Sequence, residues 1–168
     1  MPIRENAEVR QIAKKNGVFS VETDDWSISS KNVIWAAGEF LYPRLGGFAG
    51  SKLCRHTATL ANYGDLDGDD FLIVGGYESG ADAAYHLAKR GKRVTMFDKD
   101  NPWDLDTSDP SVSLSTFTYE RMRDASFEEN VALFPENPVT SIELEDNVYV
   151  LKSEDGQVFR SKTQPLLA

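Results

Sequence analysis

The sequence is poor in cysteine: Cys54 is the only one in 168 residues. That excludes an intramolecular disulfide framework and any Cys-x-x-Cys redox pair within the chain. Histidine is almost as scarce, with only His56 and His86, so a structural zinc site would run short of ligands. No apolar run approaches the roughly 18 residues that a membrane-spanning helix needs. The opening MPIRENAEVR lacks the apolar stretch of a secretion signal, so the expected location is cytoplasmic. Positive charge is in deficit, with 18 Lys and Arg against 27 Asp and Glu for a net charge of −9. Such a surface repels phosphate backbones and argues against nucleic acid as a partner. The chain is 40% hydrophobic, enough apolar material for a core and too much for a disordered segment.

The strongest local pattern lies between residues 66 and 100. Phe71, Leu72, Ile73 and Val74 form a short apolar run, bounded by Asp and Gly before and by glycines after. A strand buried on both faces reads this way. Gly75-Gly76-Tyr77-Glu78-Ser79-Gly80 follows, then an alanine-rich stretch ending in Lys89, Arg90 and Gly91. Small side chains make one helix face, the two cations suit the negative end of the helix dipole, and Gly91 is a natural stop. Val94 to Phe97 is a second strand that ends on Asp98. A right-handed crossover makes the two strands parallel.

This unit predicts a nucleotide site. A strand that reverses into a helix within a few residues needs glycine where no Cβ fits. The helix N-terminus then offers free N–H groups and a positive partial charge to a diphosphate. An acid at the end of the second strand can bind the adenosine ribose 2′-hydroxyl. Asp98 follows Gly80 by 18 positions, close to the usual interval of about 20. Laid on G-x-G-x-x-G, Gly75 and Gly80 take the first and third glycine positions, but Tyr77 holds the middle one. Tyr77 could push a cofactor outward, cap the diphosphate or stack on the ligand, and Gly76 could relieve the crowding. The expected cofactor contacts are Gly75, Gly76, Tyr77, Glu78, Ser79, Gly80, Asp98 and Lys99. The ligand expected is NAD or NADP. A carboxylate at Asp98 repels a 2′-phosphate and favours NAD, while Lys99, Arg90, Lys92 and Arg93 could offset that repulsion.

The flanks repeat each other at an offset of about 130. Val9 matches Val139, Ile12 matches Ile142, Val18 matches Val148 and Val21 matches Leu151; after one inserted residue, Ser30-Lys31 matches Ser161-Lys162. Both copies alternate apolar and polar residues between turn signals, so each predicts a three-stranded antiparallel meander leading into a buried strand. Local propensity alone would also allow a helix over residues 6–15; the repeat favours strand. Trp26 and Trp35 are expected on strands in a core. The fold class expected is α/β: a Rossmann-like parallel sheet with helices, plus antiparallel three-stranded β-meanders. Residues 38–70 look like a connection and not a core element. One helix is expected within residues 109–125, with Glu120, Arg121, Arg123 and Asp124 outward, and a third parallel strand over residues 131–134.

Taken together, the βαβ unit and its flanking repeats resemble the pyridine-nucleotide-binding half of two-dinucleotide flavoproteins, a superfamily that includes thioredoxin-reductase-like enzymes and flavin-containing monooxygenases. Val33-Ile34-Trp35-Ala36-Ala37-Gly38-Glu39-Phe40, with Pro43 following, is similar to the ATG-x-x-x-x-P segment that closes the FAD portion, with Ala37 in place of threonine. His56-Thr57 resembles the His-Ser pair of the monooxygenase-like proteins. Gln164-Pro165-Leu166-Leu167-Ala168 resembles the return into the FAD portion.

The resemblance implies four stretches: residues 1–37 from the FAD-binding portion, 38–70 connecting, 71–138 as the dinucleotide-binding core, and 139–168 as the second meander and return. It implies an NAD(P)H-binding segment of an FAD-dependent oxidoreductase, positioning the nicotinamide for hydride transfer to flavin. The parent's FAD-binding portion is then the partner, and this chain alone is not expected to bind FAD or turn over. Because Cys54 has no partner cysteine, the monooxygenase-like side of the superfamily fits somewhat better than dithiol chemistry. Two other readings stay open: a non-catalytic nucleotide-binding sensor, and an interaction module with a vestigial glycine turn.

Overall fold

The computed structural model describes residues 3–38, 43–105, 107, 109 and 111–168. The chain divides into two compact units, Met1–Glu39 and Phe40–Ala168. In the first, β1 (Gln11–Lys15), β2 (Val18–Glu22) and β3 (Ser27–Ser30) form an antiparallel meander in the order β1-β2-β3. Residues 11–15 are therefore strand, not helix. Asn16 and Gly17, both at positive φ, make the tight turn between β1 and β2. The sequence reading of Trp26 and Trp35 needs correction. Trp26 precedes β3 in a turn with the Arg4 guanidinium 4.8 Å above its ring. Trp35 lies outside any strand and is 70% exposed. Residues 31–38 form no strand, and Glu39 and Phe40 of the segment compared with the FAD closure lie outside the described residues.

The second unit is built on a five-stranded, all-parallel sheet. Its strands are β4 (Arg55–His56), β5 (Asp70–Val74), β6 (Arg93–Phe97), β7 (Val131–Phe134) and β11 (Leu166–Leu167), in the order β4-β11-β5-β6-β7. Residues 38–70 are thus more than a connection: they supply the edge strand β4 and bury Cys54 and His56. A second meander, β8 (Val139–Glu145), β9 (Val148–Ser153) and β10 (Val158–Ser161), pairs in the order β10-β9-β8.

Alternation along the parallel strands splits the core in two, because successive side chains point to opposite faces. Phe71, Ile73, Met96 and Leu166 pack on one face with Ala83, Ala84 and Leu87 of helix α1 (Glu78–Ala88) and with Phe127. Leu72, Phe97 and Leu167 pack on the other with Cys54 and with Ile142 and Leu151 of the second meander. Each fully buried side chain of this size contributes about 1.5–3 kcal/mol.

Residues 116–130 form two short helices, of which the first is the one expected within residues 109–125. They are α2 (Thr116–Met122), capped by Ser115, and α3 (Ala125–Asn130), capped by Asp124. Arg121 and Asp124 do not simply face outward. Arg121 pairs with Asp82 of α1, and Asp124 accepts from Lys89 at 3.2 Å.

Candidate functional site

The glycine turn sits at the carboxyl end of β5. Gly75 has φ +105°, and a Cβ there would lie 2.4 Å from the Ala168 carbonyl oxygen. A Cβ on Gly80 would lie 1.9 Å from the Gly75 oxygen. The first and third glycines are therefore required by close backbone approach, which no other residue allows. Helix α1 begins at Glu78, with Tyr77 as its N-cap. The Tyr77 side chain makes no capping hydrogen bond. Its first bond runs from the Ala81 N–H to the Tyr77 carbonyl at 2.9 Å, so the N–H groups of Glu78, Ser79 and Gly80 have no acceptor within the helix.

Asp98 follows the end of β6, beside this turn. Its Oδ2 accepts the Gly76 N–H at 2.6 Å and its Oδ1 accepts the Asp100 N–H at 2.8 Å. The carboxylate thus bridges the glycine turn to its own loop. Each oxygen still has acceptor capacity for a further donor. Trp103 covers the other side of Gly76, where an added Cβ would lie 2.2 Å from its Cζ3. The indole packs against the helix-side core, which gives it a packing role at the turn.

Tyr77 does not fill the turn. Its ring is 41% exposed and its hydroxyl donates to the Ser113 carbonyl at 3.0 Å. Glu78 is committed to α2: its carboxylate accepts from the Ser115 N–H, the Ser115 hydroxyl and the Thr118 hydroxyl. An acid at that N-terminus also complements the α2 dipole. Ser79 is half-buried in the first turn of α1. Ser115, Thr118 and Ser113 were missed from the sequence, although serine is a recognisable residue type at a helix start, which is where Ser115 stands.

Lys99 is exposed and paired with Asp100 at 2.5 Å. The other cations expected near Asp98 are elsewhere. Arg93 opens β6 and pairs with Asp70, Lys92 pairs with Asp69 at 3.0 Å, and Arg90 donates to the His86 carbonyl at 2.7 Å. They lie at the far end of a five-residue strand, roughly 16 Å away at 3.3 Å per residue.

Cys54, His56 and His86 complete the reactive side-chain types in the sequence. Burial pushes the Cys54 thiol up to about 11, far from a nucleophilic thiolate at neutral pH. Burial likewise holds His56 below its ordinary value, and its Nδ1 accepts the Ala58 N–H at 3.1 Å. His86 stacks on Tyr63 with ring centroids 5.6 Å apart and lies 3.6 Å from Asp82.

Comparison with known protein families matches residues 1–168 to the pyridine nucleotide-disulphide oxidoreductases. The chain belongs to that family. Solved structures support the same fold. Bacillithiol disulfide reductase from Staphylococcus aureus matches with a TM-score of 0.64 at 20% identity, over 96% of this chain and 47% of its own. Thioredoxin reductase from T. acidophilum matches at 0.63 and 22% identity, over 98% and 52%. That from Lactococcus lactis matches at 0.62 and 16% identity, over 96% and 51%. The chain spans about half the length of these structures. The superfamily inferred from the glycine turn and flanking repeats is therefore correct. The lean towards its monooxygenase-like side, drawn from the single cysteine, gains nothing from these matches.

Proposed function

We propose that this chain is the NAD(P)H-binding segment of an FAD-dependent oxidoreductase and holds the nicotinamide for hydride transfer to a flavin. Family membership supports a redox flavoprotein domain. The N-terminus of α1, without a capping bond from Tyr77 and standing over the close-packed glycine turn, carries the nucleotide reading. The N–H groups of Glu78, Ser79 and Gly80 receive the diphosphate, and Asp98 receives the adenosine ribose. NAD is favoured over NADP. Lys99 is the cation next to Asp98 in sequence, and it is already paired with Asp100, so a 2′-phosphate would meet Asp98 with little compensation. The redox chemistry itself belongs to the nicotinamide and the flavin; FAD is held by a portion of the parent protein outside this chain.

Titration of the chain with NADH and with NADPH, read by calorimetry, tests the proposal. Saturable binding, tighter for NADH, is the expected result. One observation favours the vestigial-turn reading instead: the Trp103 ring lies against Gly76. Failure of both nucleotides to bind at millimolar concentration would decide for that reading.

A further inference from the structure

Strand β7 ends the parallel sheet and, among the described residues, pairs only with β6. Its outer edge is short of donors. The Phe134 carbonyl accepts the Asp98 N–H at 3.1 Å on the β6 side, and along a strand successive residues turn their backbone groups to opposite sides. The N–H and C=O groups of Val131 and Leu133 therefore point away from the sheet. The Val131 N–H is used by the Phe127 carbonyl at the end of α3. Pro135, just past the strand, has no N–H to offer. What remains on the edge is two carbonyls and the one N–H of Leu133, unpaired among the described residues.

This edge runs into a concavity of about 450 Å³ floored by Leu133, Phe134 and Pro135. Its rim carries Glu136, Glu154 and Asp155, all exposed, and no Lys or Arg lines it. Among the described residues none of these three carboxylates is paired with a cation. Phosphate is repelled from such a rim, and so is a second copy of this chain, whose net charge is −9. A sheet edge with free backbone groups accepts an extended strand. The surplus of acceptors and the apolar floor call for a side chain that brings N–H donors on an apolar stem. Arginine does this, with five donors on a flat head and a methylene stem that can pack on Leu133 and Pro135.

We infer that the outer edge of β7 and its acidic recess dock an extended, arginine-bearing segment of a basic partner protein. The segment adds a short strand at Leu133 and sets a guanidinium among Glu136, Glu154 and Asp155. This goes beyond the nucleotide reading and does not rest on it, because none of the proposed nucleotide contacts lines the recess.

The test uses the full chain and a short fluorescent peptide of alternating valine and arginine with blocked ends, read by anisotropy. Binding is expected to saturate below about 1 mM, and the same peptide with glutamate for arginine is expected not to bind. Glu136→Lys combined with Glu154→Lys should weaken binding about 10-fold or more. Glu120→Lys combined with Glu145→Lys, which makes the same charge change at exposed positions outside the recess, should weaken it by about 2-fold or less. All four substitutions replace exposed side chains, so the variants should fold. Amide exchange at Leu133 should slow about 10-fold when the peptide is saturating. Equal weakening by the two pairs would mean that the peptide follows net charge alone, and would overturn the site. No binding, or an unchanged Leu133 exchange rate, would overturn it as well. Protection of Leu133 that grows with protein concentration alone would assign the edge to a second copy, against the proposal.

Discussion

Gly80 lies against the carbonyl of Gly75 so closely that a methyl group on it would come within 1.9 Å of that oxygen. Both partners are backbone, so no side chain can swing away to make room. Gly80→Ala is expected to destabilise the chain by about 1–3 kcal/mol. Gly91 is the control. It has φ +70° but open space around it, so Gly91→Ala should show only the backbone strain of a left-handed residue, about 1–2 kcal/mol. Urea unfolding of the two variants measures the difference, and equal losses would argue against the close approach.

Glu78 is expected to act on stability through α2. Its carboxylate meets the Ser115 N–H and two hydroxyls at that helix's start. Glu78→Ala should destabilise by about 0.5–2 kcal/mol, the range for losing a helix cap. Amide exchange resolved by residue should show the loss of protection over Thr116–Met122 before it shows in β5 or β6. Uniform loss across the chain would contradict this.

The Cys54 thiol gives a prediction at alkaline pH. Burial raises it to about 11 from an ordinary 9.0. The unfolded chain releases this proton first, so the contribution to stability is intact below pH 9 and is lost as pH rises towards 11. Cys54→Ala should flatten the fall in stability across that window. At pH 8 a thiol reagent should react with Cys54 only as fast as the chain opens, and immediate reaction in the native state would contradict the burial.

Asp155 behaves in the opposite sense. Ser153, the Gln157 side chain and the Gln157 N–H hold its carboxyl at about 2 against an ordinary 3.8. Its contribution is present above the unfolded value and is lost as pH falls from 3.8 towards 2. Asp155→Asn should therefore show a shallower loss of stability over that interval, read by urea midpoints at successive pH values.

Much of the parallel sheet was legible in sequence because its signals are local and dense. The apolar run 71–74, the alanine helix with Gly91 behind it and the strand at 94–97 each carry their own punctuation. The meanders were legible because they occur twice. The single inserted residue needed to align Ser30 with Ser161 is the same one that separates β3 from β10, at Ser27–Ser30 and Val158–Ser161. Strands of two residues, such as Arg55–His56 and Leu166–Leu167, have no periodicity to detect; only their pairing creates them. Trp35 was misjudged because an aromatic in an apolar run reads as core whether or not a surface covers it.

The candidate site was legible in outline and not in its partners. Spacing put Asp98 beside the glycine turn, but it could not show that Gly76 and Asp100 use the carboxylate. It grouped Arg90, Lys92 and Arg93 with Asp98 because they are near in sequence, whereas a strand separates their positions by its whole length.

Strand β11 joins the sheet between β4 and β5, although its residues emerge from the ribosome more than a hundred positions after Arg55. During synthesis β4 has no neighbour to bond, and β5 presents an open flank, until Leu166 and Leu167 arrive. Completion of the sheet therefore waits on a long-range closure, which sets a slow late step. A nascent chain stalled before residue 166 would carry an unprotected edge, the kind of surface that invites aggregation.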